Sequence, residues 1–260
     1  MTYQALRKDS NVCYLLHMDL KFILGAIRKA DQDYKMIEDN DKIAVAVSGG
    51  KDSMLLLLAL SVYARFKNKH FTVMGIHIDV GFEEYEHNMM KQFADQYNIE
   101  LLIEHTQIYP ILKKHLDKNG HIQCALCSNL KKGALFKVAK ENGCNKIALG
   151  HHGDDAVETL LLNMMYGSKI ATFQPKQYMS RQDMYMIRPF IYAKEKQIIE
   201  ACRNNGIPAA KRVCPNDGFT QRQTIKELLQ SFYDTFPFAQ DAFIHSLSNE
   251  QQTELWKKEK

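Results

Sequence analysis

The chain has 260 residues, of which 45% are hydrophobic and 25% are charged, and its net charge of +4 gives a pI near 8.6. This composition is typical of a globular protein with one large domain and argues against disordered or fibrous classes. We expect neither a membrane span, because no apolar run approaches ~20 residues, nor a signal peptide, because the N-terminus is charged throughout. Six cysteines are too sparse for a disulfide scaffold, so we expect a cytoplasmic protein with reduced thiols.

Strand-like and helical segments alternate along the chain after an N-terminal helix whose predicted apolar face includes Leu20, Phe22 and Ile23. Strands are predicted at Lys42–Ser48, Phe71–Asp79, Ile99–Ile108 and Asn145–His152. Helices are predicted at Ser53–Phe66, Glu83–Tyr97, Asn129–Glu141, Asp154–Tyr166, Ala193–Asn204 and Thr220–Phe232, before a frayed tail at 246–260. The alternation indicates an α/β fold with a parallel sheet covered by helices on both faces. Met54, Leu55, Leu58, Met164 and Met165 are predicted to lie in the core.

Polar residues follow three of the predicted strands at their carboxyl ends. They are Ser48–Gly50, Asp79 and His151–Asp155. Because ligands bind beyond the carboxyl ends of parallel strands, we expect these residues to converge in space.

The stretch SGGKDS, from Ser48 to Ser53, lies between a predicted strand and a predicted helix. Backbone amides at a helix start attract anions, the glycines permit close approach, and Lys51 adds a positive charge. Asp52 follows the lysine, so the stretch is not a Walker A loop. The alternative interpretation is a tight turn that only needs glycine.

Three cysteines form a second unusual pattern, since Cys124 and Cys127 make a C-x-x-C and Cys214 follows much later. Thiolates bind metals, and a single C-x-x-C disfavours a closed Cys₄ zinc site, although His121 could be a fourth zinc ligand. The alternative is a pair of small buried residues at a helix start. The remaining cysteines, Cys13, Cys144 and Cys202, are predicted to be packing residues.

Several motifs together resemble the ATP pyrophosphatase superfamily. SGGKDS matches its PP-loop, and LGHHGDDAVETLLLNMMYG, at Leu149–Gly167, is similar to the second signature of its tRNA branch. With CALC, IRPF and QRQTIKELL, the chain most resembles the tRNA 2-thiocytidine synthetase branch over 36–229. The segment around Cys214 departs from the family pattern, because it offers one cysteine where relatives often have two.

The resemblance implies a Rossmann-like sheet of the adenine nucleotide alpha hydrolase type, with helical additions at 1–40 and 191–260 around a PP-loop domain at 41–190. It implies that ATP is bound by Ser48, Gly49, Gly50, Lys51, Asp52, Ser53, His77, Asp79, Gly150, His151 and Arg188. It implies catalytic roles for Lys51, Asp52, Lys131, Asp154 and Asp155, and a [4Fe–4S] cluster on Cys124, Cys127 and Cys214. The two aspartates could hold Mg²⁺ or orient the substrate, and Arg188 could clamp phosphate or be a surface residue. The alternative for Lys131 is a solvated helix face beside Lys132, although a catalytic role is favoured because one helical turn separates Lys131 from Cys127.

The implied reaction is the thiolation of a pyrimidine in tRNA, around the anticodon. The base oxygen attacks the α-phosphorus of ATP and releases pyrophosphate, and sulfur held at the cluster then displaces AMP. A sulfur donor such as a cysteine desulfurase and a homodimer are expected. RNA could contact Lys113, Lys114, Lys118, Lys131, Lys132, Lys137, Lys211, Arg212 and Arg222, unless these charges only solubilise the surface.

Two other functions stay open from the sequence. A tRNA lysidine synthetase-like ligase would use lysine in place of sulfur and would need no cluster. A non-catalytic sensor would bind ATP and metal without chemistry. The three-cysteine set argues against the ligase, and Lys51, Asp52 and the two aspartates at Asp154 and Asp155 argue against the sensor.

Overall fold

The computed structural model describes residues 18–66, 69–82, 87–118, 120–211, 213–214, 221–252 and 254–256. Cys13 and Arg212, both singled out above, lie outside these ranges. The chain forms two compact units, a larger one of residues 1–152 and 175–217 and a smaller one of residues 153–174 and 218–260. The three segments predicted from the sequence have other boundaries and stay a prediction.

The larger unit contains a six-stranded sheet with the strand order β3-β2-β1-β4-β6-β5. Its strands are β1 Lys42–Ala46, β2 Thr72–Asp79, β3 Leu101–His105, β4 Lys146–Ala148, β5 Lys176–Met179 and β6 Met184–Ile187. Neighbouring strands are parallel except at the edge, where β5 pairs antiparallel with β6. The mostly parallel α/β fold expected from the sequence is thereby confirmed.

Helices of the larger unit are α1 Met18–Tyr34, α2 Lys51–Tyr63, α3 His87–Gln96, α4 Ile108–Lys113, α5 Cys124–Glu141 and α7 Glu195–Asn204. Helix α2 is buried along nearly its whole length, with Met54, Leu55 and Leu58 at most 3% exposed. A helix that is apolar all round belongs in a core, which is why the leucine run follows the glycines. The predicted burial of these three residues is confirmed, as is that of Leu20 and Ile23 in α1.

The predicted positions are wrong in several places. Phe22 of α1 is 63% exposed rather than part of the buried face. The β5–β6 hairpin and the short helix α4 were not expected, and α5 begins five residues before the predicted Asn129. This earlier start puts both cysteines of the C-x-x-C on the helix itself.

The smaller unit consists of helices α6 Gly153–Gly167, α8 Gln221–Thr235 and α9 Ala239–Ser246, followed by a 3₁₀ turn at Glu250–Gln252. Its core is formed by Val157, Ile225, Leu229 and Ile244. The expectation that Met164 and Met165 lie in the core is wrong, because they are 45% and 58% exposed near the end of α6. Within the described ranges, no helix combines the length and apolar character needed to cross a membrane.

Candidate active site

The stretch Ser48–Ser53 links strand β1 to helix α2 through a tight loop. Gly49 has a φ of +81°, in the left-handed region that favours glycine, and Gly50 is the N-cap of α2. The hydroxyls of Ser48 and Ser53 lie 3.1 Å apart, and Ser53 Oγ donates to the Gly50 carbonyl at 2.9 Å. A glycine N-cap offers no side-chain acceptor to the first-turn amides, so an anion can take that place.

Lys51 is held at the start of α2 by two carboxylates. Its Nζ lies 2.9 Å from Asp52 Oδ1 and 3.2 Å from Glu195 Oε1, at the first residue of α7. Burial lowers the pKa of the Lys51 ammonium, but Asp52 and Glu195 outweigh this effect and raise the pKa above its usual value. Lys51 is therefore a fixed positive charge at the mouth of the loop.

The loop also contacts elements that are distant in the sequence. The backbone N–H of Ala210 donates to the Gly49 carbonyl at 2.9 Å. Cys202 Sγ lies 3.6 Å from the Lys51 carbonyl, and burial raises the pKa of this thiol to about 12. Cys202 is thus a packing residue, as predicted, and it packs against the backbone of Lys51, where the loop enters α2.

Gly150, after strand β4, lies against the start of helix α2. A Cβ at this position would stand 3.2 Å from the carbonyl carbon and oxygen of Asp52 and 3.3 Å from the amide nitrogen of Ser53. These are backbone atoms that cannot rotate away, so a side chain at this position would force the backbone to shift by a few tenths of an ångström. The expected convergence of Ser48–Gly50 with the end of β4 is confirmed in the larger unit up to Gly150, and His151 and His152 follow it there.

Gly150→Ala is therefore expected to displace the start of α2 and to destabilise the protein by about 1–3 kcal/mol. Gly133→Ala is the matched control, because nothing lies within 4 Å of a Cβ at this exposed position in α5. The control should be about 0.5–1 kcal/mol more stable than the natural chain. Urea unfolding of both variants checks this, and equal stabilities would contradict the close packing at Gly150.

His77 and Asp79 lie on strand β2 and are buried, with residue exposures of 5% and 9%. His77 Nδ1 lies 2.8 Å from the Val47 carbonyl, next to the loop. Burial is the largest influence on His77 and lowers the pKa of its imidazole. For Asp79, burial raises the carboxyl pKa, but hydrogen bonds from Gly81 and His105 outweigh it, and the net pKa is lowered.

Arg188 follows strand β6 at its carboxyl end and is 6% exposed, so the alternative of a surface arginine is wrong. Burial lowers the pKa of its guanidinium to about 10. Because Ala148 pairs with Ile187 across β4 and β6, Arg188 follows its strand at the same level as Leu149. In the larger unit, Arg188 and Gly150 therefore both follow the carboxyl ends of neighbouring parallel strands.

Asp154 and Asp155 belong to the first turn of α6 in the smaller unit. Gln240 of α9 donates to Asp154 Oδ1 at 2.5 Å. Arg222 of α8 lies 3.5 Å from Asp155 Oδ1 and 3.0 Å from Glu158 Oε2. Burial and Asp155 raise the pKa of Glu158, and Arg222 counteracts them. Arg222 forms ion pairs with Asp155 and Glu158, so its charge is less available to contact RNA.

The three cysteines of the predicted cluster belong to the larger unit, where Cys124 and Cys214 influence the pKa of Cys127. Cys127 is buried, whereas Cys124 and Cys214 are exposed. Burial raises the pKa of the Cys127 thiol, the nearby charges of Cys214 and Cys124 raise it further, and Lys131 lowers it. Cys124, Cys127 and Lys131 are three and four residues apart in α5 and so share one face of the helix. The structure therefore brings together all four residues that the sequence singled out here.

The three thiols supply a donor set that suits an iron–sulfur cluster. Thiolates are the soft ligands that such clusters take, and three of them leave one position of a [4Fe–4S] cluster without a cysteine. The chemistry of these side chains therefore fits the predicted cluster.

Some site residues were missed by the sequence analysis. Glu195 was not singled out, because its contact with Lys51 joins positions 144 residues apart. His87 and His105 were missed as well, although both lie beside Asp79. The polar pair His77 and Asp79 inside an otherwise apolar strand was the available signal for this second group.

The chain is similar to known proteins over most of its length. A family model described as a PP-loop domain matches residues 24–229. The tRNA-cytidine(32) 2-sulfurtransferase of Syntrophotalea carbinolica is 37% identical over 229 residues, covering 87% of this chain and 88% of the relative. The protein of the same name from Pelobacter propionicus is 35% identical over 226 residues, covering 86% and 84%.

A solved structure has a similar fold. The U34-tRNA thiolase NcsA from Methanococcus maripaludis, solved with its [4Fe–4S] cluster, superposes with a TM-score of 0.72. The superposition covers 91% of this chain and 80% of the thiolase, at 20% sequence identity. At this identity the likeness concerns the fold.

Proposed function

Since the chain belongs to the PP-loop family of tRNA-cytidine(32) 2-sulfurtransferases, we propose that it replaces the O2 oxygen of a tRNA cytidine by sulfur in an ATP-dependent reaction. The observation that carries the proposal is the presence in one compact unit of a glycine loop with Lys51 at a helix start and of three cysteines and Lys131 that are close enough to influence one another electrostatically. The loop suits ATP-dependent activation of the base oxygen as a leaving group, and the three cysteines suit delivery of sulfur.

The loop would bind the phosphates of ATP. Amides at the start of α2 point to the phosphate oxygens, and the hydroxyls of Ser48 and Ser53 add donors. Lys51, oriented by Asp52 and Glu195, would neutralise charge that develops as pyrophosphate leaves. We place the adenine beside the end of β2, near His77 and Asp79. Gly150 and His151 would line the opposite side of the loop, and Arg188 would bind a phosphate.

Asp154 and Asp155 supply the carboxylate oxygens that Mg²⁺ prefers, and we propose them as its ligands. Cys124, Cys127 and Cys214 would hold a [4Fe–4S] cluster, and the soft thiolate ligands that these three residues supply support this choice. When bound, the cluster supplies an iron without a protein ligand, on which sulfur can be held.

In the proposed reaction the O2 oxygen of the base attacks the α-phosphorus of ATP, and the bond to the β-phosphate oxygen breaks. Pyrophosphate leaves, and the base becomes an adenylated intermediate. Sulfur then attacks C2, the C2–O bond breaks, and AMP departs with the former base oxygen. Lys131, one turn beyond Cys127, would stabilise the negative charge that forms on this oxygen.

Several wider parts of the proposal follow from the substrate. We assign the enzyme to the cytoplasm, where tRNA and reduced thiols occur together. The sulfur would come from a donor such as a cysteine desulfurase, whose persulfide sulfur would be reduced to sulfide by a thiol before the attack on C2. The tRNA would be bound near its anticodon, and the enzyme would act as a homodimer. The lysidine synthetase-like alternative does not account for the three cysteines beside Lys131.

The test of ATP chemistry is product analysis with the purified, iron-loaded protein, ATP, unmodified tRNA and sulfide as the sulfur source. We expect AMP and pyrophosphate in equal amounts, and only when tRNA is present. Formation of ADP and phosphate instead, or hydrolysis that does not depend on tRNA, would overturn adenylation of the base.

The basic segment before Cys214 is proposed to contact the tRNA backbone. Replacing Lys211 and Arg212 together by Ala should weaken tRNA binding and reduce the slope of log affinity against log salt by about 1.8. The matched control replaces Lys91 and Arg181, two exposed basic residues away from the cysteines. Binding measured across a salt series checks this. Equal affinities with parallel lines for natural and variant chains would show that the segment does not touch RNA.

A further inference from the structure

Strand β2 ends in two polar side chains whose position is unusual. Residues 74–77 of the strand are buried, and His77 and Asp79 are two residues apart, so they point to the same face of the sheet. Burying an imidazole and a carboxylate is costly unless each is bound by a partner. The groups around His77 and Asp79 therefore indicate which ligand this pair could bind.

A third group, His87 at the start of α3, completes a cluster of possible metal ligands. One donor atom from each of His77, Asp79 and His87 lies within 4.8 Å of the others. His87 Nε2 is 3.4 Å from Asp79 Oδ2. Two ligands of a tetrahedral ion with bonds of about 2.1 Å stand about 3.4 Å apart, so this pair already has the spacing that a metal requires.

Two of the three ligands, His77 and Asp79, are also oriented by hydrogen bonds to groups outside the metal site. The Val47 carbonyl accepts from His77 Nδ1 at 2.8 Å, which directs Nε2 as the lone-pair nitrogen. Asp79 Oδ1 accepts from the Gly81 amide at 2.9 Å, and Asp79 Oδ2 lies 2.8 Å from His105 Nδ1. A histidine hydrogen-bonded to a backbone carbonyl and a carboxylate fixed by its neighbours are the usual support of metal ligands.

We propose that His77, Asp79 and His87 bind a divalent first-row transition ion of the zinc type, with His105 positioning the Asp79 carboxylate. Two imidazoles and one carboxylate favour zinc, cobalt or iron(II) over magnesium, which prefers oxygen ligands. The site shares no ligand with the three cysteines and does not depend on the proposed function. In this proposal the side chains of His77 and Asp79 bind the metal, and the adenine contacts only the backbone at the end of β2.

The test uses the full chain with Cys124, Cys127 and Cys214 replaced by Ala, so that thiolates cannot compete for the ion. Equilibrium dialysis with Zn²⁺ is expected to give about one ion per chain, and Co²⁺ should give visible absorption without a thiolate band. Adding His87→Ala should weaken Zn²⁺ binding at least about 100-fold, and adding His105→Ala about 10–100-fold. His115→Ala, an exposed histidine of another segment, is the matched control and should change nothing.

¹⁵N NMR of the histidine side chains gives a second measurement that needs no substitution at His77, Asp79 or His87. Zn²⁺ should shift two imidazole Nε2 resonances in the chain that lacks only the three cysteines. Absence of stoichiometric Zn²⁺ binding, unshifted imidazoles, or equal losses from His87→Ala and His115→Ala would overturn the site.

Discussion

Replacing Lys51 by Ala is expected to lower tRNA-dependent pyrophosphate release by about 100–1,000-fold. Ser48–Ser53 contains a single cation, and removing one preorganised group that stabilises transition-state charge costs about 2.7–4 kcal/mol. The raised pKa of Lys51 keeps the ammonium charged across neutral pH, so the loss should be similar throughout that range. Initial rates of pyrophosphate release at saturating tRNA measure the effect.

Two further variants separate the charge of Lys51 from its place in the structure. Lys91→Ala, at an exposed position of α3, should leave the rate unchanged. Glu195→Gln keeps the hydrogen-bonding shape beside Lys51 but removes one carboxylate, and its effect should be smaller than that of Lys51→Ala. A folded Lys51→Ala protein that releases pyrophosphate at the natural rate would exclude the loop from ATP turnover.

The second large effect concerns iron. Cys127→Ala should reduce iron from about four atoms per chain to below one and should abolish thiolation, because a cluster that loses one of three protein ligands is no longer held. Release of pyrophosphate should persist in part, since the loop around Lys51 is intact. Iron content after anaerobic purification and thionucleoside yield are the measurements.

Cys144→Ala is the matched control for this substitution. Cys144 is also buried, at 5% exposure against 9% for Cys127, and it lies in the core of the sheet. Cys202 is less suitable because it contacts the loop carbonyl of Lys51. If Cys144→Ala lost as much iron as Cys127→Ala, the loss would reflect general instability, and the cluster assignment would fail.

The sheet and its loop could be predicted from the sequence because local patterns determine them. The alternation of β-branched strands and helices indicated the parallel sheet, and the leucines after Lys51 indicated a buried helix. The face shared by Cys124, Cys127 and Lys131 follows from helical spacing only once α5 is known to begin at Cys124 rather than at the predicted Asn129. In these places the local preference and the tertiary packing agree.

Other features depend on contacts that sequence patterns do not reveal. The β5–β6 hairpin was missed because its turn, at 180–183, contains neither glycine nor proline. The ion pair of Lys51 with Glu195 and the approach of His87 and His105 to Asp79 arise from the packing and register of distant segments. Met164 and Met165 continue the apolar spacing of α6 but lie where the helix leaves its core.

The central claim is that the chain thiolates cytidine in tRNA, and nucleoside analysis tests it most directly. tRNA from a strain that lacks the gene should contain no 2-thiocytidine by mass spectrometry. The natural gene should restore the nucleoside, and genes encoding Lys51→Ala or Cys127→Ala should not. Unchanged 2-thiocytidine in the deletion strain, or its restoration by either variant at the natural level, would contradict the account.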